Sequence, residues 1–243
     1  MLKPLQDAHG RVVHDLNRGI EATEIVERDD GWIGATPGPT LYLAPFRAWP
    51  KHEREAMRFV RGRVLDVGCS AGRVALHLQQ RGQDVVGIDV SPLAIETALS
   101  RGVRDVRRLS VTQVSGRLGQ FDTVLMFGNN FGLMANRKRA QWLLRRFARI
   151  TSVRGRIVAS LVDPYVTDDP DHLRYHRRNR RRGRMGGQVR VRVRYGPYCS
   201  PWFDWLFVSR DEMQALVRRT PWEVERFVDG GGTLYAVVLR KAG

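Results

Sequence analysis

The stretch RVLDVGCSAGRVALHLQQRGQDVVGIDVSP, Arg63 to Pro92, constrains the fold of this chain more than any other. A strand-like run, Val64–Val67, leads into a turn with glycines at 68 and 72. A helix-period run, Val74–Gln80, follows, and a second strand-like run, Val85–Ile88, stops at the acid Asp89. The alternation continues downstream: Thr123–Phe127 and Arg156–Val162 read as strands, Pro92–Ser100 and Arg137–Ile150 as helices. Such alternation predicts an α/β fold, a parallel sheet with helices on both faces. Ser91 is placed to cap a helix whose first residue is Pro92, and Gly82 and Gly102 fall where helices should stop.

A glycine turn between a strand and its helix lets the backbone approach a ligand and aims the helix N-terminus at it, so a nucleotide-like ligand is expected. Asp89, at the tip of the second strand and about twenty residues on, is placed to accept hydrogen bonds from ribose hydroxyls. The turn reads D-x-G-x-x-x-G, with Ser70 and Ala71 between its glycines, and so departs from the dinucleotide pattern G-x-G-x-x-G. No lysine follows as a phosphate-binding loop requires. Asp66, two residues before Gly68, would repel a pyrophosphate but can accept a hydrogen bond from an ammonium group. The expected ligand is nucleoside-like and cationic or zwitterionic.

Texture divides the chain into zones. Residues 1–60 combine a helical pattern (Leu5 to Leu16), an acidic patch (Glu21, Glu24, Glu27, Asp29, Asp30) and the Gly/Pro-rich GATPGPTLYLAPFRAWP, which suits a lid or arm over a cofactor-binding core at 61–164. Residues 165–208 are expected to be an inserted substrate cover of one helix and two strands. Asp169 can cap and Pro170 open the helix; Val189, Val191 and Val193 then alternate with Arg190, Arg192 and Arg194, the signature of a strand with one apolar and one basic face. Residues 209–243 return to the core. The capping box Ser209/Glu212 starts the helix Asp211–Arg219, and WEVERFV and TLYAVVLRK, joined by a GGG turn, read as an antiparallel hairpin at the end of the sheet.

Charge is where composition bears on function. A formal net charge of +16 suits nucleic acid, anionic lipid or an anionic substrate, but only 4 of the 41 basic residues are lysine, so arginine-rich codon usage accounts for part of the excess. Cys69 and Cys199 make neither a disulfide framework nor a metal cage. No run approaches the roughly 18 apolar residues of a membrane span, and the first residues lack the apolar segment of a signal peptide. A soluble, cytoplasmic protein is expected.

VLDVGCSAGR, VVGIDVSP and FDTVLMFGNN, in this order and spacing, resemble the class I S-adenosylmethionine-dependent methyltransferases, firmly over Arg61–Val162 and more loosely over the terminal hairpin. The resemblance implies a Rossmann-like, doubly wound, mostly parallel seven-stranded sheet and S-adenosyl-L-methionine as cofactor. It implies that Asp66, Gly68, Cys69, Ser70 and Gly72 cradle the methionine part, that Asp89 holds the ribose, and that Val90 flanks the adenine. Val111, Thr112, Phe127 and Gly128 complete the implied cofactor set. Family members often place an acid after the third strand to read the adenine amino group; here RRLSVTQV offers Ser110, Val111 and Thr112 and no acid.

Methyl transfer from a sulfonium is an in-line displacement, so the protein must chiefly align nucleophile, methyl and sulfur and keep water away; a general base helps only a nucleophile that arrives protonated. Asn129, beside Asn130 at the end of the fourth strand, lies near the expected methyl group. His172 and His176, one helical turn apart, are the candidate bases, and the arginines around them argue against a metal. Two enzymes are compatible with these residues: a small-molecule methyltransferase closed over by arm and insertion, and an RNA methyltransferase using the arginine-rich block from Arg174 to Tyr195. A non-catalytic cofactor-binding regulatory protein is the third reading. The fourth strand ends in GNNFG rather than the D/N-P-P-Y/F of enzymes that methylate exocyclic amines, and no RNA-binding module is visible. A small-molecule acceptor is therefore preferred, with no more than nonspecific nucleic-acid association through the basic face, no membrane partner, and an oligomeric state the sequence does not set.

Overall fold

A computed structural model describes residues 2–242. In chain order the elements are α1 (Ala8–Asn17), β1 (Ile25–Arg28), β2 (Ile33–Ala35), α2 (Pro39–Tyr42), α3 (Lys51–Ala56), β3 (Val64–Val67), α4 (Arg73–Gln80), β4 (Val85–Asp89), α5 (Pro92–Ser100) and β5 (Val106–Arg108). Then come β6 (Phe121–Met126), α6 (Arg137–Ile150), β7 (Thr151–Val162), α7 (Pro170–Arg181), β8 (Gln188–Tyr195), β9 (Tyr198–Cys199), β10 (Phe203–Leu206), α8 (Arg210–Val217), β11 (Trp222–Asp229) and β12 (Leu234–Lys241).

The main sheet has seven strands in the order β11-β12-β7-β6-β3-β4-β5. The five from β5 to β7 are parallel, and β12 and β11 close the sheet as an antiparallel hairpin. Both faces of the central strands are buried. Leu65, Val67, Val86, Ile88, Val124 and Met126 point to the layer holding Leu143, Leu144 and Phe147 of α6 and Met213 and Leu216 of α8. Val64, Val85 and Leu125 point the other way, onto Ala75 and Leu78 of α4 and Ala56 of α3. Strand periodicity places Asp66 in this second layer with Val64, directly under α4. The reversal of strand order between β3 and β6 opens a crevice at the carboxyl ends of the strands, where open α/β sheets bind ligands.

A second sheet, entirely antiparallel, unites segments far apart in sequence: β10-β8-β1-β2, with β9 pairing the end of β8. The N-terminal segment thus supplies two strands to the sheet that the insertion builds. The acidic patch accounts for this. Glu27 grips Arg192 and Arg194 of β8, Asp29 accepts the Tyr175 hydroxyl of α7 at 2.6 Å, and Asp30 binds the buried Arg28 guanidinium. Directly opposed residues share a face, and Val26↔Val193, Phe203↔Val191 and Trp205↔Val189 make one face apolar. Tyr175 of α7 packs against Val189 and Val191 on this face, and at its β10 edge the Trp205 indole lies on the backbone of Gly132, just beyond β6, where the face meets the main sheet. Arg190, Arg192 and Arg194 occupy the opposite face.

Candidate functional site

The turn after β3 is built from left-handed residues: φ is 73° at Gly68, 49° at Ser70 and 74° at Gly72. A side chain at Gly72 would meet Val103 at 2.5 Å, and one at Gly68 would meet the Asn130 carboxamide at 2.6 Å. That carboxamide donates to the carbonyls of Val67 and Gly68 at 3.1 and 2.7 Å, tying the end of β6 to the end of β3. The amides of Gly68 and Cys69 both donate to the Ile88 carbonyl, which fixes the turn against β4. Asp89 accepts the Ser70 amide at 3.0 Å and the Ser91 amide at 2.9 Å. One amide per oxygen leaves each with a lone pair free for a donor from outside.

Asp66 is 2% exposed and its Oδ2 has no partner among the described residues. Burial, with the charges of Asp89 and Glu53 adding to it, pushes its pKa up to about 7 against the opposing pull of Arg73 and the Ala75 amide. The Asn129 Oδ1 is a second buried acceptor without a partner, held by a left-handed residue whose amide donates to Ser160 Oγ at 3.2 Å. Unpartnered buried oxygens of this kind are costly unless a ligand supplies donors. An ammonium group and ribose hydroxyls supply donors; a phosphate does not. The residues present therefore fit an aminoacyl nucleoside such as S-adenosylmethionine. Val90, next to Asp89, is an apolar surface 48% exposed, whereas Val111, in the short helix after β5, is buried in the α6–α8 layer.

Two residues of the implied cofactor set turn away from the crevice. The Cys69 thiol packs beneath the turn against Gly87, and burial raises its pKa well above the usual thiol value. Phe127 is buried against Trp49 on the α3–α4 side of the sheet. Gly128 gives its amide to the Glu53 carboxylate at 2.8 Å, and Thr112 Oγ1 lies 3.0 Å from Ser110 Oγ in a short loop helix. His172 and His176 lie on α7, beneath the second sheet. His172 packs at a tilt against Trp32 and His176 meets edge-on the ring of Tyr165, whose hydroxyl binds Glu212; none of these contacts reaches the glycine turn or Asn129. Burial, then the charges of His172, Arg180 and Arg28, lower the His176 pKa to about 4.

Three positions at the rim of the crevice escape sequence reasoning because their partners are distant. His9 on α1 bridges Glu24 and the Ser70 hydroxyl at 2.8 Å each. Asp7 accepts the Ser91 hydroxyl at 2.9 Å and the Leu93 amide at 3.1 Å, clamping α1 onto the start of α5. Glu53, a helix residue without local signal, binds Arg73 at 2.7 Å. Each fastens the N-terminal segment to the rim of the crevice.

Fold and turn define a nucleoside-binding α/β domain of the methyltransferase kind. Residues 64–155 match the family profile described as a methyltransferase domain. A crystal structure of an S-adenosylmethionine-dependent methyltransferase from Bacteroides fragilis, solved with S-adenosyl-L-homocysteine, superposes with a TM-score of 0.84 at 25% identity. It covers 100% of this chain and 98% of that one. The 2-heptyl-1-hydroxyquinolin-4(1H)-one methyltransferase of Mycobacteroides abscessus is 36% identical over 72 residues, 27% of this chain and 32% of that protein. The magnesium-protoporphyrin O-methyltransferase of Rhodobacter capsulatus is 39% identical over 67 residues, 26% of this chain and 30% of that protein. The match thus spans about a third of the length of these curated relatives (32% and 30%). Residues 64–155 are thus similar to a methyltransferase domain, and the whole chain shares the fold of a solved S-adenosylmethionine-dependent methyltransferase of class I. Among the described residues, no helix is long and apolar enough to cross a membrane.

Proposed function

We propose that this chain transfers a methyl group from S-adenosyl-L-methionine to a small organic acceptor held between the crevice of the main sheet and the apolar face of the second sheet. The observation that carries this reading is the pair of buried, unpartnered oxygens, Asp66 Oδ2 and Asn129 Oδ1, in a crevice whose rim presents the Asp89 carboxylate. The cofactor, when bound, supplies a methyl group on a positively charged sulfonium. Asp66 takes its ammonium end, Asp89 holds the ribose hydroxyls, and Val90 flanks the adenine, with no acid to read its amino group. Asn129 stands at the reacting end.

An acceptor closed in by Phe203, Trp205 and Val26 is shielded from water, and alignment in such a site is the main source of rate in a displacement. His172 and His176 belong to the cover over this acceptor. A neutral His176 with a pKa near 4 accepts a hydrogen bond and is a weak base at neutral pH, so an acidic or already ionised nucleophile suits the site. The relatives named for a quinolone and a porphyrin support an organic acceptor over RNA. So does β8, whose Arg190, Arg192 and Arg194 occupy the face opposite its valines.

Methyl-labelled cofactor incubated with the protein, a metabolite extract and total RNA tests this reading. Label should enter the organic-soluble fraction. Label at a defined RNA position, or tight cofactor binding with no transfer to either pool, would replace it with the RNA-modifying or the regulatory reading.

A further inference from the structure

Ser70 is held at both ends. Its amide donates to Asp89 at 3.0 Å, and its hydroxyl lies 2.8 Å from His9 Nε2. The other ring nitrogen of His9 lies 2.8 Å from Glu24 Oε1, and Glu24 Oε2 accepts the Tyr42 hydroxyl at 2.5 Å and the Thr36 hydroxyl at 3.4 Å. The Tyr42 ring meets the imidazole edge-on at 4.9 Å. Segments from α1, the start of β1, α2 and the glycine turn therefore converge on one imidazole.

Ser70, His9 and Glu24 have the connectivity of a hydrolytic triad, and Gly68 to Gly72 reads G-x-S-x-G on a strand-to-helix turn. The protonation state decides against that chemistry. A triad histidine must be neutral to take the serine proton. At His9 burial opposes protonation, but the hydrogen bond and charge of Glu24, with the charges of Asp89 and Asp7, outweigh it and push the pKa up to about 9. Tyr42, from α2, faces the ring as a neutral phenol whose pKa is raised by burial and by Glu24. The cations on the packed elements are Arg73 and Arg101, and the latter donates to the carbonyls of Ala71 and Leu43. At neutral pH His9 is an imidazolium that donates from both nitrogens. The Ser70 oxygen is then an acceptor, and its own hydrogen must point elsewhere.

We propose that His9 is a positioning residue for the cofactor: by donating to Ser70 it turns the Ser70 hydroxyl hydrogen toward an acceptor oxygen of the bound nucleoside, so that seating α1 and filling the turn become one event. This role rests on the cofactor reading given above. When His9 loses its proton, Nε2 becomes an acceptor, the Ser70 hydrogen swings to it, and the ligand loses a donor. In the ligand-free protein His9 has its pKa raised to about 9, and a ligand that favours its protonated form raises it further, so the contribution to affinity is present below about pH 9 and is lost as pH rises past it.

Calorimetric titration of S-adenosylhomocysteine into wild type, His9→Gln and Ser70→Ala between pH 6.5 and 10 tests the role. The ligand is the same in each case, so titration of its own amine cancels in the comparison. Wild type should lose roughly tenfold more affinity than either variant between pH 8 and 10, and the double variant should be no weaker than Ser70→Ala at pH 7.5. Ser70→Ala keeps the test open should His9→Gln fold poorly. Parallel profiles for wild type and both variants would overturn the role while leaving the cofactor reading intact. Wild type that binds no ligand at any pH would overturn both. Covalent labelling of Ser70 by a fluorophosphonate would reassign the three residues as a nucleophilic triad.

Discussion

Glu53 holds the Arg73 guanidinium at 2.7 Å with one carboxylate oxygen, while the other takes the Gly128 amide and the Ser160 hydroxyl, both at 2.8 Å. A single acid on α3 thereby bolts the N-terminus of α4 to the ends of β6 and β7. The Trp49 ring covers Arg73 at 4.6 Å. Both charges are nearly buried, with side chains 9% and 3% exposed. Removing one partner strands the other in a poor solvent. Glu53→Ala should lower unfolding stability by about 3–5 kcal/mol, read by urea denaturation, and should weaken cofactor binding as the turn loosens. A loss below about 1 kcal/mol would mean that water reaches Arg73 freely.

Asp66 predicts a proton release. Its pKa in the unliganded protein is raised above the ordinary carboxylate value to about 7, so its charged form is disfavoured and becomes fully populated only above that pH. An ammonium group beside it favours the anion and lowers the pKa. Binding therefore expels a proton near pH 6, and affinity should fall as pH drops from 7 to 5, by at most about tenfold per pH unit. Asp66→Asn should abolish the release. Calorimetry at pH 6 in buffers of different ionisation enthalpy measures it directly, and an identical heat in all buffers would remove Asp66 from the ammonium site.

The arginines divide by what they touch. Arg192 and Arg194 are committed to Glu27, Arg190 lies 3.7 Å from Asp204, and Arg180 covers the Tyr165 ring at 4.7 Å. Arg177, Arg181 and Arg182 line a cleft of about 600 Å³ along α7 and have no carboxylate within 4.0 Å among the described residues. Replacing these three by Gln should cut the salt dependence of RNA association by roughly two in log–log slope and leave cofactor affinity unchanged. Loss of cofactor binding in this variant would place the cleft within the active site.

The parallel core was legible because its strands are buried on both faces and its helices are punctuated by Ser91, Pro92, Gly82 and Gly102. The second sheet was legible only in part: β8 and β10 fall in the insertion expected to hold two strands, but β1 and β2 gave no strand signal. β1 has four residues and β2 three, and β8, which pairs with β1, follows more than 150 positions later. Strands this short are stabilised by their partners rather than by their own pattern. The acidic patch read only as composition until Glu24, Glu27, Asp29 and Asp30 were each seen to have a different partner. His9 gave no signal because its partner Ser70 lies 61 residues away. Membership of the glycine turn was readable for Cys69, but the direction of its side chain was not. A turn alternates what faces the ligand with what faces the core, and the Cys69 thiol faces the core.

Titration of S-adenosylhomocysteine into wild type and Asp89→Ala by calorimetry tests the central claim most directly. Asp89, at the rim, keeps a lone pair on each oxygen after its two backbone amides are counted. Losing its bonds to the ribose should cost about 1–3 kcal/mol, or roughly 5- to 150-fold in affinity, with a melting temperature close to that of wild type. Saturable binding by wild type, weakened to this extent in the variant, is the predicted result. Equal affinity in the two proteins, or no binding by wild type, would contradict the assignment of this crevice to the cofactor.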